Sequence, residues 1–155
     1  MITINSDGTV TGGTIKSPGN VIQLINTSEL STMQTTSTSY VDFTDATLNI
    51  TPSSSSNKIL VMFTCYWVNT LVSSSNVNCS FKTLRDSTNL YESFHSAESG
   101  SGGLQAKGTC NHILVDTPST ASAVTYKVQI KVSNSSSTVY ALSLIHISEP
   151  TRQKP

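Results

Sequence analysis

The side chains able to do chemistry are few and scattered. A glycan-cleaving centre needs two carboxylates held across a sugar bond. Asp42, Asp45, Asp86 and Asp116 fall instead near the ends of strand-like runs and in turns, where an aspartate caps its own backbone. Glu92, His95 and Glu98 lie close enough to suggest metal ligands, but they adjoin a glycine-rich stretch and read as a solvated loop. Cys110 and His112, one residue apart, fall on the same face of a strand, as a nucleophile and its base would. No oxyanion-hole motif and no third partner accompany them, so the pair reads as incidental and the chain as non-enzymatic, with no cofactor implied.

Binding chemistry is better represented. A flat aromatic ring covers the apolar face of a pyranose, and Tyr66, Trp67, Tyr91 and Phe94 are the candidates. Trp67 lies late in an apolar run and reads as core. Tyr91 and Phe94 precede the run Ser99-Gly100-Ser101-Gly102-Gly103, which has no side chains to bury and reads as a loop. The stretch from Tyr91 to Lys107, with Tyr91, Phe94, His95 and Lys107 as contact candidates, is therefore expected to form an exposed loop region on a rigid scaffold.

The elements that must hold these residues are strands. Tyr126, Val128, Ile130 and Val132 alternate with Lys127, Gln129 and Lys131, the pattern of a half-buried strand. Ile59 to Val68 is almost continuously apolar after a turn of four serines and Asn57, which predicts a strand covered on both faces. Val77, Cys79 and Phe81 alternate with polar residues, and Arg85 to Asn89 offers a tight turn before Leu90-Tyr91, which predicts a hairpin. Val21 to Asn26 reads as a first strand, Thr27 to Ser39 as a polar connection, and Tyr40 to Phe43 as the start of an alternating run that Leu48 and Ile50 continue. Several short strands between Ser-, Thr-, Asn-, Gly- and Pro-rich turns, with no helical period and no long repeat, indicate an all-β antiparallel sandwich or jelly roll.

Composition agrees and excludes several classes. Ser and Thr make up about a third of the 155 residues, whereas long-chain helix formers are scarce. Nine basic residues balance nine acidic ones, so bulk charge supplies no field for nucleic acid. No apolar run is long enough to cross a membrane as a helix, and MITINSDG has neither the basic nor the apolar part of a secretion signal. Cys65, Cys79 and Cys110, an odd set without metal-type spacing, read as small buried hydrophobes. The Asn-x-Ser/Thr triplets at Asn26, Asn49, Asn78 and Asn134 are what so Ser/Thr-rich a chain produces by chance.

Three segments follow: a β-prone connector over 1–19 with a turn at Asp7-Gly8, a β-sandwich domain over 20–141, and a tail over 142–155. The tail begins LSLIHISEPTR, and these eleven residues, Leu142 to Arg152, resemble translated adapter sequence of the kind used to build sequencing libraries. On that reading the native chain stops near Ala141, the sandwich is C-terminally truncated, and His146 and Glu149 carry no biology.

Within the domain, TTSTSYVDFTDATLNITPSSSSNKILVMF and VDTPSTASAVTYKVQIKV are the distinctive runs. Ser39-Tyr40-Val41-Asp42, Ile50-Thr51-Pro52 with the serine run before Lys58-Ile59-Leu60-Val61, and Thr125-Tyr126-Lys127-Val128-Gln129 mark them. Over roughly Gly19 to Tyr140 the sequence resembles a family of tail-fibre and virion structural proteins of marine and environmental phages. That resemblance implies a jelly roll related in plan to the heads of complement and tumour-necrosis-factor-like proteins. It also implies a homotrimer alongside other tail-fibre subunits, a place on the virion after synthesis in the bacterial cytoplasm, and attachment to a host surface glycan or protein. A purely structural or decorating module without receptor binding is the alternative.

Overall fold

The computed structural model describes residues 3–4, 10–11, 23–26, 32–70, 77–97 and 105–143. All regular structure among them is strand: β1 (Thr3–Ile4), β2 (Val10–Thr11), β3 (Met33–Thr35), β4 (Val41–Ile50), β5 (Ile59–Thr70), β6 (Val77–Arg85), β7 (Thr88–Ala97), β8 (Gln105–Asp116), β9 (Val124–Val132) and β10 (Thr138–Ser143). Strands β1 and β2 pair with each other alone, around the expected turn segment. The others form two antiparallel four-stranded sheets, in the orders β3-β10-β5-β8 and β4-β9-β6-β7.

Alternation in the sequence is what lets the two sheets face each other. Along β9 every second residue, from Val124 to Val132, is buried, while Lys127, Gln129 and Lys131 look outward. Strand β5 contributes Phe63, Cys65 and Trp67 to the same interior, and β6 contributes Cys79 and Phe81. The rings of Phe43, Phe63 and Phe81 link β4, β5 and β6 across the sandwich. Phe43 meets Phe63 edge-on at 6.0 Å, and Phe63 lies 6.4 Å from Phe81. Such ring pairs contribute about 0.5–1.5 kcal/mol each beyond simple burial.

Two further devices fix the frame. The β6–β7 hairpin turns at Asp86, whose φ of 52° is the left-handed conformation that aspartate tolerates in tight turns. At one end of the sandwich both carboxylate oxygens of Asp116 of β8 accept from the one nitrogen Arg85 Nη1 (2.9 and 2.7 Å), and Oδ2 also accepts from the hydroxyl of Tyr126 (2.6 Å). This cluster ties the second sheet to the edge of the first. Burial, then the bond to Asp116, holds the Tyr126 hydroxyl well above the usual phenol range.

The structure departs from the sequence reading in three places, and a fourth feature concerns the boundary at Ala141. Gln23–Asn26 is exposed and outside any strand, with Leu24 80% accessible, because no neighbouring edge takes up its hydrogen bonds; Val21 and Ile22 lie outside the described residues. Conversely, β3 arises within the polar run 27–39, where pairing with β10 decides the outcome. Strand β5 is paired on both edges but covered on one face only: Leu60 and Met62 remain exposed, with no layer over them among the described residues. Finally, β10 runs past Ala141, with Leu142 and Ser143 continuing the ladder opposite Tyr66 and Cys65. It occupies an interior place between β3 and β5 rather than an edge; residues 144–155 lie outside the described part.

Candidate functional site

Strands β7 and β8 are the edges of different sheets, and the four contact candidates sit on them rather than in a loop. The glycine-rich stretch between them lies outside the described residues. Because side chains alternate along a strand, the four do not share a surface. Tyr91 and His95 lie on the inward side of β7, where Tyr91 at the sheet edge keeps 49% of its surface accessible, and Phe94 faces outward from the second sheet. Lys107, opposite Val68, lies exposed on the outer face of the first sheet. Glu92 and His95 likewise point to opposite faces of β7, so they cannot share an ion; Glu98 is not among the described residues. No group of three metal-type ligands occurs among those that are.

Tyr91 and His95 flank a buried polar chain. Ser93 Oγ lies 2.7 Å from His112 Nε2 and 3.0 Å from His95 Nε2, and His112 Nδ1 lies 2.7 Å from Thr83 Oγ1. The single hydroxyl proton of Ser93 can be donated to only one of the two imidazoles, and the other must donate to it. Tyr91 packs edge-on against His112 at 4.8 Å, and His95 lies against Trp67 and Phe81. The chain stitches β6, β7 and β8 together. Serine and histidine are within nucleophile-to-base distance, but the group behind the base is a hydroxyl, which has no charge to stabilise an imidazolium.

The three cysteines lie beside this chain, all buried and unpaired. Cys65 and Cys110 are direct cross-strand partners, and Cys110 Sγ is 3.6 Å from Ser93 Oγ. The hydrogen bond to Cys110, then burial, holds the Cys65 thiol above its usual range. The same bond from Cys65 works the other way on Cys110 against burial, and His112 and Ser93 add to it. Burial pushes Cys79 up to about 12. The sequence pointed to Cys110 and His112 but not to Ser93 or Thr83, which reach them only through the fold.

The outer face of the second sheet carries a different constellation. Tyr40, just ahead of β4, lays its ring across the sheet and donates its hydroxyl to Glu92 on β7. The ammonium groups of Lys82 and Lys131 sit 3.8 and 4.4 Å from the centre of that ring. Burial, then the bond to Glu92, keeps the Tyr40 hydroxyl protonated well above the usual phenol range. Ser80 lies between Phe94 and Lys131 in the cross-strand register, and Lys82 between Glu92 and Gln129. Asp42 closes the row: it accepts from Gln129 Nε2 at 2.7 Å and Lys127 Nζ at 3.0 Å, and those two bonds hold its carboxyl below the usual value. Phe94 stands beside this polar floor with 64% of its surface accessible.

The outer face of the first sheet is apolar near the other end of β5 and β8. Leu60 pairs with Val115 and Met62 with Ile113, and each of these side chains is 60–64% accessible. No charged residue stands within the quartet.

No family model, curated protein or solved structure matches the chain.

Proposed function

We propose that this sandwich is the attachment head of a phage tail fibre, non-enzymatic and trimeric, which presents one outer face to its sister subunits and another to the host surface. The observation that carries the reading is the contrast between those faces. The Leu60–Met62–Ile113–Val115 quartet is a contiguous apolar patch whose four side chains are each 60–64% accessible, the kind of surface on which subunits associate. The opposite sheet offers a preorganised polar surface with one protruding ring. The two four-stranded antiparallel sheets, in the orders β3-β10-β5-β8 and β4-β9-β6-β7, support the jelly-roll plan that the resemblance to fibre heads implies. Three copies at a tip would multiply a weak contact by avidity.

Incubating labelled full-length chain with candidate host cells tests the proposal. Saturable adsorption that Phe94→Ala reduces and Lys107→Ala leaves unchanged is the expected result. An assembled protein that adsorbs to no host cell points instead to a purely structural virion module, which would share the apolar subunit face.

A further inference from the structure

We infer that the outer face of the second sheet, around Phe94, Lys82 and Lys131, binds an acidic sugar of a surface polysaccharide, with the ring on Phe94 and the carboxylate on the two lysines. This deepens the attachment reading and rests on it for the source of the ligand.

Three observations support the assignment. First, Phe94 is a large apolar side chain left mostly in solvent on a strand whose outward neighbours, Glu92 and Ser96, are polar. A flat ring so placed matches the C–H face of a pyranose, whose hydroxyls are then met by Gln129 and Glu92 on the same side of the sheet.

Second, the charge on this face is not balanced internally. The ion pairs among the described residues are Arg85–Asp116 and Lys127–Asp42, so Lys127 and Asp42 neutralise each other. Lys82 and Lys131 crowd the Tyr40 ring, whereas Glu92, which keeps its charge while accepting the Tyr40 hydroxyl, stands opposite Lys82 in the ladder. The two ammonium groups outnumber that carboxylate, and an anionic ligand would balance the second of them.

Third, the spacing suits a sugar with its acid group to one side. Phe94, Ser80 and Lys131 are in register on three adjacent strands, which puts the ring and the ammonium about 10 Å apart along the sheet at their backbones. The Tyr40 ring restrains both lysines before any ligand arrives, which reduces the ordering cost of binding.

An amide chemical-shift titration of the full chain with digalacturonic acid, its neutral digalactose counterpart and inorganic phosphate separates the possibilities. The expected result is binding of digalacturonate with a Kd on the order of 1 mM. Shifts should be confined to residues around Lys82, Phe94 and Lys131, and the neutral sugar should bind about fivefold more weakly, the preference that two exposed ion pairs supply. Lys82→Gln with Lys131→Gln should abolish that preference while leaving neutral binding, and Phe94→Ala should remove both.

Equal binding of the two sugars, shifts elsewhere on the molecule, or no shifts at all would overturn the inference. Phosphate shifting the same residues as strongly, with Phe94→Ala without effect, would reduce the site to bare charge and overturn it too. The attachment reading is scored separately by cell adsorption. Adsorption without acidic-sugar binding sinks this inference alone, and acidic-sugar binding without adsorption to any host cell sinks the attachment reading alone.

Discussion

The two outer faces of the sandwich are built from strands of the same alternating kind, yet they end in opposite states. On the first sheet, β5 and β8 turn Leu60, Met62, Ile113 and Val115 to solvent with nothing over them. On the second, β6, β7 and β9 turn out lysines, a glutamate and a glutamine that are cross-linked by Tyr40 and Asp42. The polar face holds its side chains in place through local partners. The apolar face has none, and burying it against another protein surface is the obvious way for it to gain them.

Substitutions can sharpen the contrast, and the largest expected effect lies beneath the apolar face. Gly108 sits opposite Trp67 in the β5–β8 ladder, and a Cβ there would come within 3.0 Å of the indole ring. Gly108→Ala should therefore push Trp67 out of place and cost about 1–3 kcal/mol in denaturant unfolding, the range for overpacking. Trp67 fluorescence should shift with it, while the Tyr40 and Phe94 surface stays intact.

On the polar face the effect is smaller and depends on pH. The carboxyl of Asp42 is held below its ordinary value of 3.8 by Gln129 and Lys127, so its contribution to stability is complete above that value. It is lost as the pH falls through the lower folded value. Asp42→Asn should cost about 0.2–1 kcal/mol at neutral pH, as exposed pairs do, and wild type and variant should converge in thermal melts in strong acid.

Much of the fold can be read from the chain because its signals are local. The period-two pattern from Tyr126 to Val132, the run from Ile59 to Val68 and the turn at Asp86 each locate a strand or hairpin without reference to anything distant. What could not be read depends on pairing. Val21 to Asn26 looks like a strand in composition, yet its described residues find no edge, whereas Met33–Thr35 looks like a connection and is ordered by β10.

The candidate site divides in the same way. That Phe94 is exposed follows from its neighbours, but the face it occupies depends on register across β6. There the ladder also shifts between Thr83 and Leu84. Tyr40 meets Glu92, and Ser93 meets His112, only after the chain has folded back through several strands. No spacing in the sequence signals either contact.

The smallest expected change in stability belongs to the most direct test of the contrast. Met62→Lys with Ile113→Lys replaces two exposed apolar side chains, and each change should alter monomer stability by no more than about 0.5 kcal/mol. Sedimentation equilibrium of the full chain and of this double variant then decides the matter. The account predicts a trimer for the wild-type chain and, for the variant, a folded monomer that melts somewhat lower because it has lost the association that stabilises the trimer. A wild-type monomer at micromolar concentration, or a variant that remains trimeric, would contradict it.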